Sequence, residues 1–373
     1  KIAALLQQKA HQTVLEVNLN ALIHNLNIYR KLLKPETKIM VMVKAFSYGS
    51  GDVEIARLLQ NQNVDYLAVA VADEGVQLRN AGISIPIIVM NPEQESFQNI
   101  IDFNLEPNIY SSDLLTKFSA ALAEFGEKYY PIHVKIDTGM NRLGMKTEQE
   151  IGPFISLVKN NQLTKIRSVF SHLAASDDPA LDNFTNAQFN KFEQLSEKIQ
   201  SVFDHKIEKH ILNSAGIERF PNQQYDMVRL GIGLYGISQT GLPLENIGTL
   251  KSTVSQVKTV ETNETVGYNR KGEVCSRSRI AIVPLGYADG VNRKLGNGNG
   301  CAFVNGKQVP IIGNICMDML MLNINDLDVK AGDSIEIFGP NISISELAQK
   351  LETIPYEILT GISQRVKRVY LQE

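Results

Sequence analysis

The chain has 373 residues, 43% of them hydrophobic and 21% charged, and a formal net charge of −3. That length can bury a substantial core in a large domain with a smaller one beside it, the near-balanced charge offers no surplus for nucleic acid or an anionic membrane, and no apolar run is long enough to span a bilayer. The three cysteines, Cys275, Cys301 and Cys316, form no CxxC pair and stand near no histidine at metal-ligand spacing, so they read as reduced thiols of a cytoplasmic protein with no metal.

Residues 1–13, KIAALLQQKAHQT, begin without methionine and lack the long apolar core of a signal peptide, so they read as a leader or linker and as a piece of something longer. VLEVNL at 14–19 is a strand followed by the helical ALIHNLNIYRKLL, and it suits either domain. Short apolar runs then alternate with helical stretches: 38–45, 65–72, 85–90, 106–110, 132–138, 166–174, 209–214 and 226–232. Between them, segments such as GDVEIARLLQ and NAQFNKFEQLSEKI repeat apolar residues at three and four.

Eight strand–helix repeats predict an α/β fold, a (β/α)8 barrel of the TIM type over residues 14–240, with chemistry where strands end and loops begin. A doubly wound open sheet reads similarly and stays open as an alternative. From about 241 to 373 the texture changes to strands divided by Gly, Asn and Pro, including STVSQVKTV, IAIVP, CAFVNG, KQVPII and DSIEIF, with little helix before 344–351. A second, mostly β C-terminal domain follows.

Polar residues gather at the predicted strand ends. VMVKAFSYGSG places Lys44 before a turn of Tyr48, Gly49, Ser50 and Gly51; HVKIDTGMNRLG carries Lys135, Asp137 and Arg142; FSHLAASDD carries His172; ILNSAG carries Asn213 and Ser214; and MVRLGIGLYG carries Arg229. One such residue could be a surface charge, but the set is poorly explained as core, because buried charges need partners. Loops after strands seven and eight often build a phosphate site in barrels, and Ser214 with the Gly231–Ile232 backbone suits one. A lysine beside a phosphate cradle suggests pyridoxal phosphate, and a Schiff-base aldolase acting on sugar phosphates fits the same two facts.

These motifs, in order along nearly the whole chain, resemble the alanine racemase family of fold-type III pyridoxal-phosphate enzymes: VKAFSYGSG, KIDTGMNRLG, SHLAASDD, NSAG, VRLGIGLYG, TVGYNRKG, VPLGYADGVNR, GNICMDML and TIPYE. The resemblance implies a homodimer whose active sites each join one barrel to the other subunit's β domain, pyridoxal 5'-phosphate as cofactor, and alanine as the small-molecule substrate. Lys44 would hold the cofactor as a Schiff base, Ser214, Tyr48, Tyr356 and the Gly231 and Ile232 backbone would bind its phosphate, Arg142 would face its phenolic oxygen, and Asn213 and His172 would also bind the cofactor. Arg229 would face the pyridine nitrogen; arginine only donates, so the ring stays unprotonated and is a weaker electron sink, which favours reprotonation over transamination.

Two bases would exchange the Cα proton, Lys44 on the D face and Tyr268 of the partner subunit on the L face, with His172 and Arg229 setting the tyrosine's environment. Met317 and Tyr287 would lie near the substrate with Arg142. Lys135 would be carbamylated to position Arg142, or else paired with a carboxylate such as Asp137. Phe46, Ser47, Ser50, Asn141, Leu230, Gly267 and Asn269 depart from the family pattern without removing a catalytic position. The implied activity is alanine racemisation supplying D-alanine for peptidoglycan, with a broader amino-acid (serine) racemase and a non-catalytic cofactor carrier as alternatives. The opening KIAALLQQKAHQT reads as the end of a helix leading into the racemase from a fused Mur ligase, an arrangement this family has in some bacteria.

Overall fold

A computed structural model of the protein describes residues 12–325 and 327–372. Most of the expected leader, and its reading as the end of a fused helix, lies outside the described residues. Strand β1 (Val14–Asn18) alternates half-buried and buried side chains, and the buried Leu15 and Val17 contribute about 1.5–3 kcal/mol each by leaving water. Asn18 ends the strand: its Oδ1 accepts from Ala21 N at 3.0 Å and so caps the helix Leu19–Leu32.

Eight strands follow, β2 (Lys38–Met42), β3 (Tyr66–Val69), β4 (Ile87–Val89), β5 (Glu106–Ile109), β6 (Tyr130–Lys135), β7 (Thr164–Phe170), β8 (Glu208–His210) and β9 (Met227–Leu230). Runs such as YLAV and IIV are buried along their whole length, as strands covered on one side by helices and on the other by a packed interior must be. All eight pair in parallel, and β9 returns to β2 through Lys38↔Met227 to Val41↔Leu230. That closure makes the sheet a barrel and removes the open-sheet alternative.

The covering helices follow the apolar spacing in the sequence. In Ser112–Phe125 the buried Leu114, Leu115, Phe118 and Leu122 share one face; Ser111 Oγ accepts from Leu114 N at 3.2 Å, and Gly126 ends the helix in a left-handed conformation. Several predicted strands are shorter than expected at their C-terminal ends. The first stops at Met42 rather than residue 45, so Lys44 lies just beyond the strand.

The C-terminal region holds β10 (Gly248–Thr253), β11 (Gln256–Val260), β12 (Thr265–Val266), β13 (Gly272–Glu273), β14 (Ser278–Val283), β15 (Cys301–Val304), β16 (Lys307–Pro310), β17 (Leu320–Asn323), β18 (Ser334–Phe338) and β19 (Lys367–Leu371). β12, β13, β17 and β19 lie outside the expected strands: the first two have two residues each, LMLN has no clear alternation and KRVYL is too polar to read as one. β1 belongs to this sheet, antiparallel to β10 and parallel to β19, in the order β16-β15-β18-β10-β1-β19. From β1 the chain therefore passes from the β region through the barrel and back, which ties the two together. No helix among the described residues is long and apolar enough to cross a membrane.

Candidate active site

The C-terminal ends of the barrel strands open into a cavity of about 460 Å³. It gathers Lys44, Tyr48, Lys135, Arg142, His172, Asn213, Ser214, Arg229, Gly231, Ile232 and Tyr356, the barrel set anticipated from sequence together with one tyrosine from the C-terminal region. Met42, Ala70, Met90, Asn91 and Leu143 complete the lining. Asn91 follows the fourth strand, and the rule that found Lys44 and His172, polar residues just past a strand, would have found it too.

Lys44 opens one turn of left-handed helix. Ala45, Phe46, Ser47 and Tyr48 have φ of 52, 56, 48 and 52°, a conformation costing about 1–2 kcal/mol per non-glycine residue. The cost is met by contacts from outside the turn. Glu74 Oε1 accepts from Ala45 N at 2.6 Å. From the C-terminal region, Arg368 Nε donates to Gly49 O at 2.9 Å and its guanidinium lies 5.1 Å from the Phe46 ring centroid, and Tyr370 Oη donates to Ser50 O at 3.2 Å. Burial lowers the Lys44 pKa, Arg142 lowers it further, and Glu74 opposes both, so the amine is more available as a nucleophile and base than an ordinary lysine.

The far end of the cavity is built of hydroxyls and backbone. Ser214 Oγ accepts from Gly231 N at 3.0 Å and Gly233 N at 3.1 Å. The Oδ1 of Asn213 is already engaged, accepting from Gly216 N at 2.9 Å and Ser176 Oγ at 2.8 Å, so the residue shapes the turn that presents Ser214. Tyr48 is buried against Tyr235, with ring centroids 4.6 Å apart, and beside Tyr356 at 5.8 Å. A Cβ on Gly231 would come 2.9 Å from Tyr48 Oη and 3.8 Å from Ser214 Oγ, so only glycine leaves the space between these hydroxyls open.

The walls are cationic. Arg229 is buried and sits 5.3 Å from the Phe170 ring centroid. Its Nη1 donates to His210 Nδ1 at 2.7 Å, and its Nη2 donates to Ser171 O at 2.6 Å, Ile211 O at 3.0 Å and His172 Nδ1 at 3.3 Å. Burial, then Arg229, Lys135, Arg142 and Lys44, push the His172 pKa well below its ordinary value, so the ring is neutral. Lys135, also buried, has its Nζ 5.1 Å from the centroid of the same Phe170 ring. Burial first, then Arg229 and Arg142, lower its pKa to about 7.

The anticipated Lys135–Asp137 ion pair does not form. Asp137 Oδ1 instead accepts from Gly139 N at 2.9 Å and Asn141 N at 3.1 Å, which turns the carboxylate onto the amides of the loop after β6. Among the described residues no carboxylate pairs with Lys44, Lys135, Arg142 or Arg229. An elongated anion with a phosphate at the Ser214 end fits this donor set and the glycine-made gap.

Tyr268, Tyr287 and Met317 lie elsewhere, exposed on the C-terminal region. The last two are neighbours: Tyr287 N donates to Cys316 O at 3.1 Å and Ala288 N to Met317 O at 3.0 Å. Arg365 bridges their loops, with Nε on Asp289 and Nη2 on Asp318, both at 2.7 Å. Tyr268 and Met317 line a separate broad cleft. Within one chain, the Lys44 cavity and this surface remain apart.

A closed parallel barrel with an activated lysine in a cationic, hydroxyl-lined mouth, joined to a β region, defines a barrel enzyme that takes an anionic ligand. The alanine racemase N-terminal domain pattern matches residues 17–239 and the C-terminal domain pattern matches 247–370. The alanine racemase of Methanococcus maripaludis is 34% identical over 97% of this chain and 99% of its own. That of Clostridium difficile 630 is 36% identical with a TM-score of 0.92 over 96% of each chain. The Bartonella henselae enzyme, described with covalently bound pyridoxal phosphate, is 27% identical with a TM-score of 0.86 over 96% of this chain and 99% of its own. The chain belongs to the alanine racemase family.

Proposed function

We propose that the protein interconverts L-alanine and D-alanine with pyridoxal 5'-phosphate, as a cytoplasmic homodimer, and supplies D-alanine for peptidoglycan. The carrying observation is the separation of the two candidate bases, Lys44 inside the cavity and Tyr268 exposed on another surface of the same chain. A second copy that laid its Tyr268, Tyr287 and Met317 surface over the cavity would bring a base to the face opposite Lys44.

Pyridoxal phosphate, when bound, withdraws electrons from the substrate's Cα and so acidifies its proton. Lys44 would hold it covalently and, once released, serve as base on the D face. Ser214, Tyr48, Tyr356 and the Gly231 and Ile232 backbone would hold the phosphate, Asn213 would fix the Ser214 turn, and Arg229 would point its Nε–H, unbonded among the described residues, at the ring nitrogen. The partner's tyrosine would take or return the L-face proton beside neutral His172, with Arg142, Tyr287 and Met317 around the substrate carboxylate.

Lys135 is suited to carbamylation: its neutral amine attacks the carbon of CO2, an N–C bond forms, one C–O π pair moves onto oxygen and a proton leaves to solvent. The resulting anion would sit beside Arg142 and Arg229, where, among the described residues, the cation has no carboxylate partner.

The test is proton NMR of L-alanine in D2O with the purified chain and added cofactor, with chiral chromatography of the product. Loss of the Cα proton with D-alanine appearing is expected, alanine outpacing serine. Tyr268→Phe should keep bound cofactor but lose most of the L-face exchange; undiminished racemisation in that variant defeats the two-base reading.

A further inference from the structure

Arg229 is held from behind by a chain of side chains running through the barrel interior, one from each of five consecutive strands: Arg229 on β9, His210 on β8, Ser168 on β7, His133 on β6 and Glu106 on β5. The links are Arg229 Nη1 to His210 Nδ1 at 2.7 Å, His210 Nε2 to Ser168 Oγ at 2.9 Å, Ser168 Oγ to His133 Nδ1 at 2.6 Å and His133 Nε2 to Glu106 Oε2 at 2.6 Å. All five residues are buried, so water cannot substitute for a missing partner.

The ends of the chain fix its protons. A guanidinium only donates, so His210 Nδ1 must accept and its proton must sit on Nε2. That proton goes to Ser168 Oγ, which gives its own to His133 Nδ1. The His133 proton is then on Nε2 and is donated to the Glu106 carboxylate. Every donor lies on the cavity side and every acceptor on the Glu106 side. With both rings neutral, reversing any link would set two donors against each other at Arg229 or two acceptors at Glu106, each with a buried group left unpaired.

We infer that Glu106, His133, Ser168 and His210 form a one-way hydrogen-bond relay of positioning residues that aims Arg229 at the cavity while keeping its counter-charge four links away. The inference deepens the proposed function, since it rests on Arg229 facing the cofactor's ring. A carboxylate in direct contact would cancel much of the guanidinium's charge where the ligand meets it. Neutral groups touch it instead, and burial with the Arg229 charge keeps His210 neutral. Burial raises the Glu106 pKa, but the His133 hydrogen bond and the nearby Arg167 and Arg79 charges outweigh it and leave the carboxyl ionised.

The test reads protons directly, in two-bond 1H–15N spectra of the full chain labelled with 15N-histidine, each ring assigned by the signal lost in His133→Gln or His210→Gln. Both rings should carry Nε2–H; Nδ1–H on either overturns the relay, whether or not the enzyme racemises. Glu106→Gln, whose carbonyl still accepts, should keep this tautomer, and Glu106→Leu should lose it at His133. Ser168→Ala should lower kcat roughly tenfold, about what a lost charge-linked hydrogen bond is worth, with KM for alanine within about twofold and recovery in Ser168→Thr. An unchanged kcat in Ser168→Ala removes the positioning role. Correct tautomers in a protein that racemises nothing would defeat the proposed function and leave the relay standing.

Discussion

Lys135→Met puts a number on the buried lysine. Lys135 is buried, lacks a carboxylate partner among the described residues, and has its pKa lowered from the ordinary 10.5 to about 7, by burial first and then by Arg229 and Arg142. At about 1.36 kcal/mol per unit, holding that proton in the folded state costs up to about 5 kcal/mol. The native state binds the proton more weakly than the unfolded chain, so the penalty is full below pH 7, shrinks as pH rises toward 10.5, and vanishes above it. Methionine of similar length removes it. In CO2-free buffer Lys135→Met should therefore be more stable than wild type by up to about 5 kcal/mol near pH 6 and about 2 kcal/mol near pH 9. Urea midpoints followed by circular dichroism measure this in a chain that has no tryptophan. With bicarbonate, carbamylation turns the wild-type cation into a partner for Arg142, so the advantage of methionine should shrink or reverse, and wild type should gain the mass of CO2 in native mass spectrometry. A methionine variant less stable than wild type by the same amount at both pH values, with or without bicarbonate, refutes the reasoning.

Other substitutions probe the site's frame. Gly233→Ala would put a Cβ 1.9 Å from Tyr29 Oη, and because Tyr29 is buried and donates to Glu218 it should destabilise by about 1–3 kcal/mol in urea. Gly231→Ala, whose Cβ meets Tyr48 Oη at 2.9 Å, should weaken cofactor affinity measured by equilibrium dialysis far more than it moves the urea midpoint. At exposed, left-handed Ala45, glycine should raise stability by up to about 1 kcal/mol and valine lower it by about as much or more; a glycine variant that melts earlier contradicts the strained turn. Covalent loading at Lys44, read by borohydride trapping, should have a pH midpoint below that of an ordinary lysine, and Glu74→Gln should move it lower still, since Glu74 is the charge that opposes the shift.

Much of the barrel was legible in the chain because its signals are local. Apolar runs such as KIMVM, YLAV and IIV needed only burial on both sides to declare themselves strands, and the polar residue just past each, Lys44, His172 or Ser214, fell where a barrel mouth must be. Pattern could not say which sheet β1 joins, because a five-residue strand carries no address for its partner, and its pairing with β10 and β19 depends on segments more than 200 residues away. It also missed β19, whose Arg368 steadies the turn beside Lys44.

Residue types and their order thus determined the repeating architecture and the chemistry at the barrel mouth. Tertiary structure alone decided the partnerships: that Asp137 serves loop amides rather than Lys135, that Tyr268 stands apart from Lys44 within one chain, and that a glutamate, two histidines and a serine on neighbouring strands line up behind Arg229. Hydrogen bonds and charges act over a few ångströms in space, and only the closed barrel sets which distant residues come that close.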